Sequence, residues 1–106
     1  MEVVTAENPL PLLVFFRSAS SGPAERMESL LAHLAHKERR RLHVARVDVA
    51  ERPDLVERLQ IDVVPTLLLV KNRRAVARLE GRASALRIER MVEPHLREAE
   101  QLEATA

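Results

Sequence analysis

The chain has 106 residues, room for one domain with a single core and too few for two. Hydrophobic residues make up 46% and charged residues 31%, a globular composition, but Phe15 and Phe16 are the only aromatics, so the stacking platforms used by single-stranded nucleic acids and many ligands are missing. Lys and Arg number 17 against 16 Asp and Glu, a net charge of +1 too balanced to steer the whole molecule toward polyanions, and the lack of any cysteine excludes disulfides, thiolate metal ligands and cysteine nucleophiles.

The opening residues Met1-Glu2-Val3-Val4 lack a basic region followed by an apolar stretch, and no run approaches the roughly 18 apolar residues of a membrane helix. A soluble, cytoplasmic protein with no membrane partner is the expectation. Pro9 and Pro11 punctuate the first segment, and Leu12-Leu13-Val14-Phe15-Phe16 then reads as a central parallel strand covered on both faces. After the polar loop 17–23, Ala24, Met27, Leu31, Leu34 and Ala35 recur at helical spacing over about four turns. Ser20 or Ser21 can cap that helix, Pro23 suits its first turn, and Glu25 and Glu28 face the positive end of its dipole. Lys37, Arg39, Arg40 and Arg41 suit the negative end.

Residues 42–48 read as a second strand, with Leu42, Val44 and Arg46 on one side and Val47 and Val49 extending its apolar character. Pro53 opens a short helix carrying Leu55, Val56 and Leu59. Residues 66–70, directly after Val64-Pro65, form a third strand, 71–74 a turn, and 75–79 an antiparallel return ending at Gly81. Ser84 caps a last helix with Ile88, Met91, Val92 and Leu96 inward; Pro94, which has no N–H, should kink or end it. The polar residues 98–106 read as a frayed tail, leaving one domain over 1–106 with its core in 11–97. The fold class is α/β, a central mixed sheet of about four strands flanked by helices on both faces.

This order, and four landmarks within it, resemble the thioredoxin family. The apolar strand running into Ser21-Gly22-Pro23-Ala24 resembles that family's Cys-Gly-Pro-Cys with both cysteines replaced, and Val63-Val64-Pro65-Thr66 resembles its cis-proline loop. Asp48 to Pro53, Lys71-Asn72 and Gly81 fall where members have an aspartate before a proline, a turn and a glycine, and the register runs ungapped from Leu12 to Leu96. The resemblance implies a thioredoxin-like fold and a cis bond at Val64–Pro65, packed against the helix start near Ser21. It equally marks what has changed. Ser21 stands at the attacking thiol, Ala24 at the resolving one, Phe15 at the buried aspartate that assists proton transfer, and Arg17 and Ser20 at two flanking tryptophans. The opening segment is also shorter than in typical members, which leaves the usual first strand and helix in question.

No catalytic residue, cofactor or metal is therefore expected. A nucleophilic Ser21 needs an adjacent base, and the family geometry puts none of His33, His36, His43 or His95 there, so Ser21 reads as a helix cap. His33 and His36 lack a third metal ligand and read as solvent-facing. The surface that the resemblance leaves is a peptide groove of Ser20, Ser21, Gly22, Pro23, Val63, Val64, Pro65, Glu80, Gly81 and Arg82, where main-chain pairing needs no sulfur. The leading expectation is a redox-inactive adaptor or chaperone-like module with an unknown protein or peptide partner, as monomer or homodimer. Two alternatives stand beside it. One is a thiol-disulfide oxidoreductase whose cysteines have been replaced, against which Phe15, Arg17 and Ser20 speak. The other is a nucleic-acid or anion-binding module using His36-Lys37-Glu38-Arg39-Arg40-Arg41 with Arg73 and Arg74, although a solvated helix end accounts for that run better, given its place at the negative end of the dipole and the near-neutral total charge.

Overall fold

The computed structural model describes residues 10–19 and 22–105, the side chains of 22–24 and 98–105 excepted. In chain order the elements are β1 (Leu12–Arg17), α1 (Gly22–Lys37), β2 (His43–Asp48), α2 (Pro53–Arg58), β3 (Thr66–Lys71), β4 (Arg74–Glu80) and α3 (Ala85–Thr105). The strands form one sheet in the order β2-β1-β3-β4. β1 and β2 are parallel, while β1–β3 and β3–β4 are antiparallel, so the sheet is mixed.

The two central strands carry unbroken apolar runs because both of their faces are covered. On one face Leu13, Phe15, Leu67 and Leu69 meet Met27, Leu31 and Leu34 of α1 and Ile88, Val92 and Leu96 of α3. On the other, Val14, Phe16 and Leu68 meet Leu55 of α2, with Val47 and Ile61. Each such side chain contributes about 1.5–3 kcal/mol through burial, so these two layers dominate the stability of the domain. Leu42, Val44 and Arg46 share the α1 side of the sheet as expected, the first two against the core and the last against Glu28 of α1.

The β3–β4 turn places Asn72 and Arg73 both at positive φ, 53° and 66°, the geometry that a tight two-residue hairpin requires. Ser84 caps α3: the Arg87 N–H donates to its Oγ at 3.2 Å, and the Ile88 N–H donates to its carbonyl at 3.1 Å.

Of the two effects expected of Pro94, ending the helix does not occur. Pro94 lies inside α3, which runs on to Thr105. The proline forfeits one intrahelical hydrogen bond, at about 3 kcal/mol or more with its ring clash. Ile88 and Val92 before it and Leu96 after it are all buried in the same core layer, and their combined burial outweighs that cost.

Candidate functional site

The chain between α2 and β3 is folded by local bonds and held by one cation. The Leu59 N–H donates to the Leu55 carbonyl at 2.9 Å, Gln60 takes a left-handed φ of 55°, and the Ile61 N–H returns to the Val56 carbonyl at 2.9 Å. Arg78 of β4 reaches over this reversal, its Nη2 donating to the Leu59 carbonyl at 2.6 Å and its Nη1 to the Gln60 carbonyl at 3.0 Å. A planar guanidinium serves two adjacent carbonyls at once, which an ammonium in its place does not. Glu80 lies 3.6 Å from the same guanidinium.

The loop that follows is fixed from both sides. The Val64–Pro65 peptide bond is cis. Behind it, fully buried Thr66 donates its Oγ1 to the Val63 carbonyl at 2.5 Å. Across the sheet, where Thr66 pairs with Glu80, the Gly81 N–H donates to the Pro65 carbonyl at 2.8 Å. Gly81 has φ +83° and a Cβ there would meet nothing within 4 Å, so the backbone conformation alone calls for glycine. Pro65 is buried, whereas Val63 and Val64, consecutive in the chain, are 40% and 42% exposed. Exposed Glu80 and Arg82 flank Gly81.

Five expected groove residues thus come together: Val63, Val64, Pro65, Glu80 and Gly81, with Arg82 next in the chain. Ser20 and Ser21 lie outside the described residues, as does the expected packing of Pro65 against the helix start near Ser21. Gly22, Pro23 and Ala24 are described by backbone alone, as the first three residues of α1. Thr66 and Arg78 belong to the site and were not foreseen. A hydroxyl three residues after Val63 was a readable signal for the first, since Ser and Thr turn back on nearby backbone groups. Nothing in the sequence ties Arg78 to residues 18 and 19 positions earlier.

Phe15 is 1% exposed inside the larger core layer. Arg17, at the end of β1, turns its guanidinium under α1: Nη1 pairs with Glu28 Oε2 at 2.6 Å, and Nη2 donates to the Ala19 carbonyl at 3.2 Å. The other oxygen of Glu28 accepts from Arg46 of β2. The basic run after α1 is largely engaged. Lys37 pairs with Glu89 at 3.4 Å, Arg41 with Glu38 at 2.7 Å and with Glu93 at 3.5 Å, and Arg39 donates to the His36 carbonyl at 3.1 Å. His33 and His36 are exposed, and among the described residues no three His, Cys, Asp or Glu could share a metal ion. No described helix is long and apolar enough to cross a membrane.

A mixed sheet in this order, with helices on both faces, defines a thioredoxin-like fold. Comparison with known proteins agrees. The thioredoxin family model matches residues 2–94. The chain is 33% identical over 76 residues to thioredoxin-like protein slr0233 of Synechocystis, covering 72% of each chain. It is 33% identical over 89 residues to a Mycobacterium tuberculosis thioredoxin, covering 81% of this chain and 77% of that one. The crystal structure of the germline-specific thioredoxin Deadhead from Drosophila superposes with a TM-score of 0.77 at 25% identity, covering 82% of each. The chain belongs to the thioredoxin family, and it has no cysteine.

Proposed function

We propose that this protein is a redox-inactive thioredoxin-like adaptor that holds an extended stretch of polypeptide against the loop Val63–Val64–Pro65. The carrying observation is the pair of exposed valines on a loop whose two ends are fixed, at Val63 by Thr66 and at Pro65 by Gly81. Two aliphatic side chains on a rigid, outward-facing loop favour an apolar guest, and the loop loses little conformational freedom when the guest arrives. The chain offers no thiolate, so the encounter ends in binding rather than in a mixed disulfide.

The test is titration of a reduced, carboxymethylated polypeptide, which cannot refold or exchange disulfides, into the protein by fluorescence anisotropy. Saturable binding is expected, and the double change Val63→Asp and Val64→Asp should weaken it by about tenfold or more, the worth of one lost aliphatic contact. Binding that ignores both substitutions would place the guest elsewhere. In parallel, insulin reduction in the presence of a thioredoxin reductase should stay at the blank, and turnover above it would refute the redox-inactive reading.

A further inference from the structure

Among the described residues both outer strands of the sheet present an edge, and they are built differently. β4 carries a register shift opposite Leu69 and Val70, with Arg74 and Arg78 along it, features that discourage another strand from joining. β2 is regular, pairing with β1 through six unbroken residues from His43 to Asp48. The His43 N–H donates to Pro11 and the Val49 N–H to Arg17, so the odd-numbered residues face β1 and Val44 and Arg46 turn their N–H and C=O groups outward. The one cation on this strand, Arg46, is drawn up to Glu28 of α1. Above the same edge lies an open cleft of about 200 Å³ between α1 and β2, whose lining includes Ala32, Ala35, Val44 and Ala45 along with the charged pair Glu28 and Arg46.

α1 continues the pattern. Glu25, Glu28, Ser29, Ala32 and His36 follow one another at helical spacing and form a stripe on its outer side, Glu28 half-buried and the others exposed. Arg39, bonded to the His36 carbonyl, extends the stripe beyond the helix end. The stripe is acidic before Ala32 and basic after it. Glu25 precedes Ala32 by as many residues as Arg39 follows it, and the same holds for Glu28 and His36. A two-fold axis through Ala32 therefore sets Glu25 against Arg39 and Glu28 against His36 of a second copy, with small side chains at the centre. Glu28 stands by Arg46 while Ala35 shares the cleft with Val44, so the axis passes through Ala45 in the strand below. Antiparallel pairing centred on Ala45 puts Val44 opposite Arg46 of the second copy, and these are the residues with outward-turned backbone groups.

We infer that this face binds a second copy of the chain, β2 pairing antiparallel with β2 and α1 lying antiparallel to α1, to give a two-fold dimer with one continuous sheet of eight strands. The dimer does not depend on the proposed groove, which lies at the far side of β1.

The test is sedimentation equilibrium of the full-length protein over a concentration series. A reversible dimer is expected. Ala32→Glu, at an exposed helix position that leaves the fold intact by circular dichroism, brings two like charges to the axis and should weaken it by about tenfold or more. Glu25→Arg and Arg39→Glu should each weaken it about two- to fivefold, and the double exchange should recover the wild-type constant, since it restores the opposite charges with their positions reversed. A protein that stays monomeric overturns the inference, whether the edge is free or taken by the chain's own first nine residues. So does a dimer that Ala32→Glu leaves intact, which must use another face, or a double exchange that adds the two losses instead of cancelling them.

Discussion

Glu28 is a clamp on three elements, and removing it should cost more than its partly exposed position implies. Arg17 is only 14% exposed in its side chain, its Nε is buried without a hydrogen-bond partner, and Glu28 supplies its nearest countercharge at 2.6 Å. Arg46, 63% exposed, is screened by water, so its half of the clamp is worth about 0.2–1 kcal/mol. The Arg17 half is different. A fully buried charge that loses its partner costs about 3–5 kcal/mol, and scaling that for a guanidinium with some access to solvent gives about 2 kcal/mol for Glu28→Gln. Arg17→Met removes the charge that needed the partner while keeping most of the stem's volume, and should change stability by less than about 1 kcal/mol. The double variant should then resemble Arg17→Met, with a coupling of about 1–2 kcal/mol in the cycle. Urea unfolding at low protein concentration, read as midpoint shifts at constant slope, measures all four corners. Additive effects within about 0.5 kcal/mol would refute the clamp, as would an Arg17→Met variant as unstable as Glu28→Gln.

Further outcomes follow from single features. Ser84→Ala removes the acceptor of the Arg87 N–H and should lower stability by about 1 kcal/mol, seen as a drop in melting temperature; an unchanged midpoint would mean that water replaces the cap without loss. Gly81→Ala forces an alanine to φ +83° and should cost about 1 kcal/mol although no atom crowds the new methyl; a neutral result would show that the strand end relaxes. The Arg52 guanidinium, donating to both oxygens of Asp54 at 3.1 and 3.0 Å, holds that carboxyl down at about 2 against its usual 3.8. A carboxyl lowered in the folded state stabilises the protein above its unfolded value, and that stabilisation is lost as pH falls from about 4 through 2. Carboxyl NMR should show the low midpoint for Asp54, and a midpoint near 4 would refute the pairing in solution.

The sequence carried the strands better than it carried the side-chain chemistry around them. Unbroken runs such as Leu12 to Phe16 mark strands covered on both faces, and the 3.6-residue recurrence of Met27, Leu31 and Leu34 marks a helix with one wet side, because burial itself sets those periods. Pro94 misled because local propensity opposes a helix there, whereas the layer into which Ile88, Val92 and Leu96 pack is built by residues far away in the chain. In the loop before β3, the valines and the proline could be read from a short motif. The Arg78 clasp and the Arg17–Glu28–Arg46 bridge could not, since their partners meet only after the sheet has formed.

Phe15 makes the loss of chemistry difficult to reverse. It stands where the family resemblance puts a proton-handling aspartate, and it has become a fully enclosed part of the larger core layer, packed among residues of β3, α1 and α3. Restoring an acid there would empty the space of a phenyl ring, at about 3–5 kcal/mol, and add the cost of enclosing a carboxyl group. Against a total stability of about 5–15 kcal/mol, that change threatens folding before any reactivity returns. Substitutions at positions 21 and 24 alone would give a chain with thiols but without the proton acceptor. The route to thiol chemistry passes through an unstable intermediate, so the architecture acts as a ratchet against it.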